Sequence, residues 1–339
     1  MKRFKVGIVG IGVVGAELVK VLRQRRFPAS EVRIIARTER DEEIAGEKFH
    51  VRSASPEAFD GLDFALFAGT EGAKGASQVY GWEAVKRGAI VIDNGDDYRM
   101  DPRVPLVIPE INADALKGHS GFISNPNCST IIALMALAPL HRAARIKRLI
   151  ASTYQSVSGT GRDAVLELEE QVRGWVAGKP AEPKVYKHQI AFNVLPHIGG
   201  LKDDMPGYTS EEIKLRNETR KILGDQAILV SATCVRVPVF YSHSEALNVE
   251  FEKAVSPEQA RELLAKAPGV KVVDDLPNAI YPLPIDAEGK DDVLVGRIRR
   301  DDTVRHGLAL FVAGDNIRKG AALNAVQIAE ALIGSEMSM

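Results

Sequence analysis

Cysteine is almost missing from this sequence: Cys128 and Cys234 are the two among 339 residues. That excludes a disulfide framework and fits a reducing cytoplasm. A dominant sign of charge is missing as well. The 44 Lys and Arg nearly balance the 45 Asp and Glu, for a net charge of -1 and a pI of about 6.7. A general nucleic-acid binder carries a basic stripe, so no nucleic-acid partner is expected. Basic groups that matter should instead be local and aimed at a small anion. Long hydrophobic runs are missing too. The longest, Ile131 to Leu140, is too short to span a bilayer, and no membrane partner is expected. Met1-Lys2-Arg3 ahead of the apolar stretch Val6 to Ala16 superficially resembles a signal peptide. Four glycines in that stretch read better as a strand–turn–helix. No histidine pair has metal-ligand spacing such as HxxxH, so no metal is expected. There is no internal repeat and no low-complexity tract.

The composition that remains, 45% hydrophobic and 26% charged, is that of a soluble globular protein. At roughly 150 residues per domain the length implies about two domains. Such a chain buries enough surface to need no metal or disulfide staple. Phe4 to Val9, Val32 to Ala36, Phe64 to Ala68 and Ala89 to Asp93 read as buried strands. Ala16 to Arg25 and Trp82 to Arg87 read as helices between them. Alternating strands and helices imply a parallel sheet with right-handed crossovers, covering roughly the first 127 residues. After Cys128 the pattern changes. Ser129 to Leu140, Ala164 to Val176 and Ser210 to Ile222 read as helices, the last with only part of a capping box, and Ile146 to Gln155 as a strand. Ile228 to Phe240, Leu247 to Phe251, Val293 to Arg299 and Leu308 to Gly314 read as strands of an antiparallel sheet. Asn316 to Ile333 reads as a closing helix. The fold class expected is α/β, an N-terminal Rossmann-type parallel sheet with a second α+β catalytic domain. The boundaries expected are 1–127, completed by 316–339, and 128–315.

Gly10-x-Gly12-x-x-Gly15 follows a strand and opens a helix. Glycines there permit a tight turn and close approach of backbone to a pyrophosphate. The helix N-terminus adds free N–H groups and a favourable dipole. Gly10, Gly12, Val13, Val14 and Gly15 are therefore candidates for dinucleotide binding. Cofactor type is read past the second strand, at Ala36-Arg37-Thr38-Glu39-Arg40. Arg37 can pair with a 2′-phosphate and Thr38 can donate to it, which favours NADP; Glu39 dissents.

Asn125-Pro126-Asn127-Cys128-Ser129-Thr130 precedes an apolar helix. A helix N-terminus stabilises a thiolate, which makes Cys128 a candidate nucleophile. Thiolate attack on an aldehyde, followed by hydride loss, leaves a thioester. That chemistry needs an acceptor and a base, for which His243 is a candidate.

With these residues in view, the sequence resembles the aspartate-semialdehyde dehydrogenase family over almost its whole length. The resemblance rests on Asn125 to Thr130 (NPNCST), Ser152 to Gly161 (STYQSVSGTG), and Glu211 to Lys214 (EEIK) with Asn217-Glu218-Thr219. It continues in Thr233 to His243 (TCVRVPVFYSH) and Asp315 to Gln327 (DNIRKGAALNAVQ). It implies that Cys128 is the nucleophile and His243 the general acid/base. Gln155 would orient the intermediate, with Asn127 beside it. Arg236 would hold the substrate carboxylate and Glu211 its amino group. Arg99 and Lys214 would bind inorganic phosphate. Ser158, Gly159 and Asn316 would touch the cofactor. It further implies a homodimer or homotetramer, acting in lysine, threonine and methionine synthesis. The chain departs from the family pattern in three places. The first turn is GxGxxG where the family has GxxGxxG. Asp93 to Asp101 reads DNGDDYRMD where the family has a serine-rich segment, so Asp96 and Asp97 bring two carboxylates near Arg99 that should weaken phosphate binding unless both point away. Ala68 to Gly75 (AGTEGAKG) also differs. Two alternatives are an N-acetyl-γ-glutamyl-phosphate reductase and a catalytically silent dinucleotide-binding paralogue. Glu211 opposes the first, since an acetylated amine has no charge to pair. Cys128, Gln155 and His243 oppose the second.

Overall fold

The computed structural model describes residues 2–69, 75–203 and 205–336. Most of the divergent loop at Ala68 to Gly75 therefore lies outside the described residues. The chain forms two compact units, residues 1–127 with 321–339, and residues 128–320.

In the first unit, β1 (Phe4–Val9), α1 (Val13–Gln24) and β2 (Ala29–Ala36) come first. A hairpin of β3 (Arg40–Ile44) and β4 (Glu47–Ser53) follows. Then come β5 (Phe64–Phe67), α2 (Ala76–Lys86), β6 (Ile90–Asp93), the short α3 (Pro109–Asn112) and β7 (Phe122–Ser124). The sheet order is β3-β4-β2-β1-β5-β6-β7, parallel except for the β3–β4 pair. Val6, Ile8, Phe64 and Leu66 pack on one face with Leu18 and Leu22 of α1. Val9, Ala65 and Phe67 pack on the other with Phe59 and Ala84. Both faces are thus covered, as a parallel sheet requires. The sequence pattern did not reveal the hairpin. Its outer strand carries four charged residues in five, and β4 buries one side chain, Val51. Charge on an edge strand blocks pairing with other chains and hides the apolar signal.

The second unit contains α4 (Cys128–Ala144), β8 (Ile146–Gln155), α5 (Arg162–Val176), α6 (Ser210–Leu223), β9 (Leu229–Arg236), β10 (His243–Phe251) and α7 (Pro257–Ala265). It ends with β11 (Val270–Val272), α8 (Pro284–Ala287), β12 (Val293–Asp301) and β13 (Gly307–Gly314). The order is β11-β12-β13-β10-β8-β9. This corrects the antiparallel expectation: β8 pairs β9 in parallel, and β11 pairs β12 in parallel. The reason is connectivity. Residues 156–228, with α5 and α6, separate β8 from β9, and parallel neighbours need such a crossover. The strand expected to reach Phe240 stops at Arg236, because the chain turns there and Ser242 adopts φ 70°. At α6 the Glu212 carboxylate accepts the Thr209 N–H at 2.8 Å and the Cys234 N–H at 3.1 Å, tying the helix start to β9.

The final helix, α9 (Leu323–Glu336), begins seven residues later than the sequence suggests. A π-type turn, Arg318–Ala322, precedes it, and residues 316–320 belong to the second unit. Asn324 of α9 donates to the Asn125 side chain at 2.6 Å and to the Val107 carbonyl at 2.9 Å, anchoring α9 within the first unit.

Candidate active site

In the first unit, Gly10 to Gly12 link β1 to α1, and each glycine of the turn meets a different demand. Gly10 sits at φ 92°, where a side chain is strained. A Cβ on Gly15 would lie 2.1 Å from the Gly10 carbonyl oxygen. Among the described residues, a Cβ on Gly12 would meet nothing within 4 Å. Tight turn, close helix packing and open space for an approaching group are the three requirements of a pyrophosphate turn. Gly12 caps α1 without a side-chain acceptor, so the first N–H groups remain for an anion. Val13 and Val14 fill the first helical turn. Sheet order reverses at β1, which lies between β2 and β5, where doubly wound sheets take ligands.

Arg37 and Thr38 lie exposed just past β2. Arg40 donates to the Thr38 carbonyl at 2.8 Å, and the Glu39 carboxylate is 3.2 Å from His50 of β4. Arg99 is buried, giving its Nε to the Asn125 carbonyl at 3.0 Å and its Nη2 to the Asn94 carbonyl at 2.7 Å. Asp97 accepts from Ser77 at 3.1 Å. The Asp93 carboxyl is pushed up to about 6, first by burial. Asn127, also buried, closes this unit.

In the second unit the ends of β8, β9 and β10 bring Gln155, Arg236 and His243 together. Gln155 and Arg236 are register partners. Gln155 donates to Glu211 at 3.1 Å and accepts from Thr153 at 3.0 Å, so both ends of its amide are fixed. Lys214 lies 3.8 Å from the other Glu211 oxygen. Arg236 is buried, with Nη1 donating to the Ser156 carbonyl at 2.7 Å. Its Nε finds no hydrogen-bond partner, and no carboxylate pairs with it among the described residues. His243 is fully buried, and its Nδ1 accepts the Ser156 N–H at 3.0 Å. The neutral ring therefore carries its proton on Nε2, which has no partner among the described residues. Burial first, then the Arg236 charge, holds this imidazole well below its ordinary pKa. A Cβ on Gly159 would stand 2.9 Å from Arg236 Nη1 and 3.2 Å from His243 Nε2, so only glycine leaves room between them.

Asn316 binds Ser156, Ser158 and the Ser242 N–H at 2.9–3.2 Å. Cys128, partly exposed, opens α4 and packs against Gly320, whose N–H returns to Asp315 beside Asn316. Cys234 is buried, which raises its thiol and leaves it inert. Ser156 and Thr153 lie within the STYQSVSGTG motif but had no separate signal; their importance is visible only in their bonds. Glu245, two residues beyond His243 on the same face, was also missed. It is buried with neither oxygen hydrogen-bonded among the described residues, and burial, then Glu211, pushes it well above the usual carboxylate range.

Comparison with known proteins identifies the family. The model described as "Semialdehyde dehydrogenase, NAD binding domain" matches residues 5–119, and "Semialdehyde dehydrogenase, dimerisation domain" matches residues 137–319. The aspartate-semialdehyde dehydrogenase of Aquifex aeolicus is 50% identical, over 97% of this chain and 98% of its own. The chain belongs to the aspartate-semialdehyde dehydrogenase family. Among solved members, aspartate semialdehyde dehydrogenase II of Vibrio cholerae superposes with a TM-score of 0.92 at 41% identity, covering 98% of this chain and 99% of that one. The same Vibrio cholerae protein is also known in complex with ASA. Like the family as a whole, this member is an oxidoreductase with a nicotinamide-nucleotide domain.

Proposed function

We propose that the chain carries out the NADP-dependent reductive dephosphorylation of L-4-aspartyl phosphate to L-aspartate 4-semialdehyde. The observation that carries this reading is the buried Arg236 guanidinium, without a carboxylate partner among the described residues, beside the bare His243 Nε2. A buried unpaired cation is costly and invites an anionic ligand. Arginine's planar fork suits the substrate carboxylate, and Glu211 offers a carboxylate to its ammonium group.

The Cys128 thiolate attacks the acyl carbon and the bond to phosphate breaks, leaving a thioester. The Gly10–Gly15 turn would hold NADPH, with Arg37 and Thr38 as the groups for its 2′-phosphate, and the bound cofactor would supply the hydride. Its fit rests on the open space at Gly12 and the uncapped N–H groups of α1. His243 holds the proton at Nε2 against the oxygen that gains charge, and Gln155 orients that oxygen. As the C–S bond breaks, the thiolate returns to Cys128 and the aldehyde leaves. In this reading Arg99 and Lys214 would be the cations for phosphate, Asn127 would flank the nucleophile in sequence, and Ser158, Gly159 and Asn316 would contact the cofactor. The matched dimerisation domain supports a homodimer or a homotetramer, and the outward pair Tyr154 and Phe311, ring centres 6.1 Å apart, suits such a sheet face. Among the described residues no helix is long and apolar enough to cross a membrane. Two free thiols suit the cytoplasm.

The test is nicotinamide absorbance with L-aspartate 4-semialdehyde, phosphate and NADP, for the native chain and Cys128→Ser. Phosphate-dependent reduction of NADP that the variant loses supports the reading. Its absence in a native chain that binds NADP would overturn it.

A further inference from the structure

The inward face of α5 carries two buried polar residues one turn apart, Glu167 and Gln171. Glu167 Oε2 accepts the Lys184 N–H at 2.9 Å and the Val185 N–H. Gln171 Oε1 accepts the Ile190 N–H at 3.1 Å and the Ala191 N–H at 3.0 Å. The two are joined, Gln171 Nε2 donating to Glu167 Oε1 at 3.1 Å. Four backbone N–H groups of one irregular segment thus end on two side chains. A buried carboxylate survives only with such donors around it.

The same segment runs on to the candidate site. Tyr186 donates to Thr160 at 2.9 Å, next to Gly159. Leu195 exchanges both backbone hydrogen bonds with Arg236 at 2.9 Å. Residues 184–195 therefore form a strap, fixed to α5 at one end and to the arginine's own backbone at the other. Ile190 and Ala191 sit in a small core with Val157, Ala164 and Leu168, so the strap also braces the turn that carries Ser158 and Gly159.

We propose that Glu167 and Gln171 are positioning residues that latch this strap and thereby set the Arg236 guanidinium for the substrate carboxylate. This rests on the reading of Arg236 given above. The donor and acceptor pattern supplies its own test. Glu167→Gln places an amide N–H against N–H donors in either orientation, and Gln171→Glu sets two carboxylates face to face. The double exchange Glu167→Gln with Gln171→Glu recreates every hydrogen bond with the partners' roles swapped.

Steady-state kinetics on the full chain should show KM for L-aspartate 4-semialdehyde raised about tenfold in each single variant, since small misplacements of a binding group are costly. The kcat and the alkylation rate of Cys128 by iodoacetamide should change by less than about threefold, because among the described residues neither Cys128 nor His243 is hydrogen-bonded to the strap. The double exchange should return KM to within about twofold of native. A KM unmoved in the single variants, or one the double exchange fails to restore while it restores the melting temperature, overturns the proposal. If the single variants do not fold, Tyr186→Phe removes only the Thr160 bond. It should raise the same KM about threefold, and no change overturns the proposal. Arg236→Lys separates the two readings. Raised KM there with unmoved latch variants removes the latch alone. Unmoved KM there removes the carboxylate assignment and the latch with it.

Discussion

Replacing Gly12 by alanine should separate nucleotide binding from folding. The backbone at Gly12 has φ -69°, which any residue adopts, and the added methyl meets nothing within 4 Å among the described residues. The unfolded chain loses freedom, so stability should rise by about 0.4–1 kcal/mol. The same methyl fills the space in which a pyrophosphate must approach the N–H groups of α1. Losing one or two charge-assisted hydrogen bonds costs about 2–3 kcal/mol, roughly 30- to 150-fold in Kd. Gly15→Ala should do the reverse work, because its Cβ would lie 2.1 Å from a backbone oxygen that cannot move aside. Overpacking of that kind costs about 1–3 kcal/mol before any ligand is added. Calorimetric titration with NADP and thermal unfolding on both variants would measure the two effects. A Gly12→Ala protein that unfolds at or above the native temperature and still binds NADP with native Kd would refute the assignment of this turn.

Further outcomes follow from the buried charges. Because burial and Arg236 keep His243 neutral, the acid limb of kcat should lie well below pH 6.5; Arg236→Leu should move it upward. Glu245 has its pKa raised on folding, so its contribution to stability is complete below the unfolded value of 4.5 and is lost as pH rises. Glu245→Gln should therefore raise Tm at pH 8 and leave it nearly unchanged at pH 4.5; equal shifts at both would remove the explanation. Asp93 behaves alike with a folded value of about 6, so Asp93→Asn should gain stability above pH 6 and not below pH 4. Serines in place of Asp96 and Asp97 should lower the phosphate KM through lost repulsion near Arg99, and an unchanged KM would dismiss that effect.

What could be read from the sequence was whatever depends on neighbours along the chain. A glycine turn between strand and helix, a cysteine opening an apolar helix and strands alternating with helices are local patterns, and all are present in the structure. The motifs around Gln155, Glu211, Arg236 and His243 could be read through resemblance, though nothing in their spacing says that they meet. The charged hairpin at the sheet edge escaped because edge strands conceal their periodicity. The mixed sheet escaped because a strand's direction is set by the partner it finds, here across residues 156–228. Glu167, Gln171, Thr153 and Ser156 look like ordinary polar residues in the sequence. Only the tertiary structure buries them and chooses which backbone groups they must satisfy, since a hydrogen bond between distant segments leaves no mark on the spacing of either.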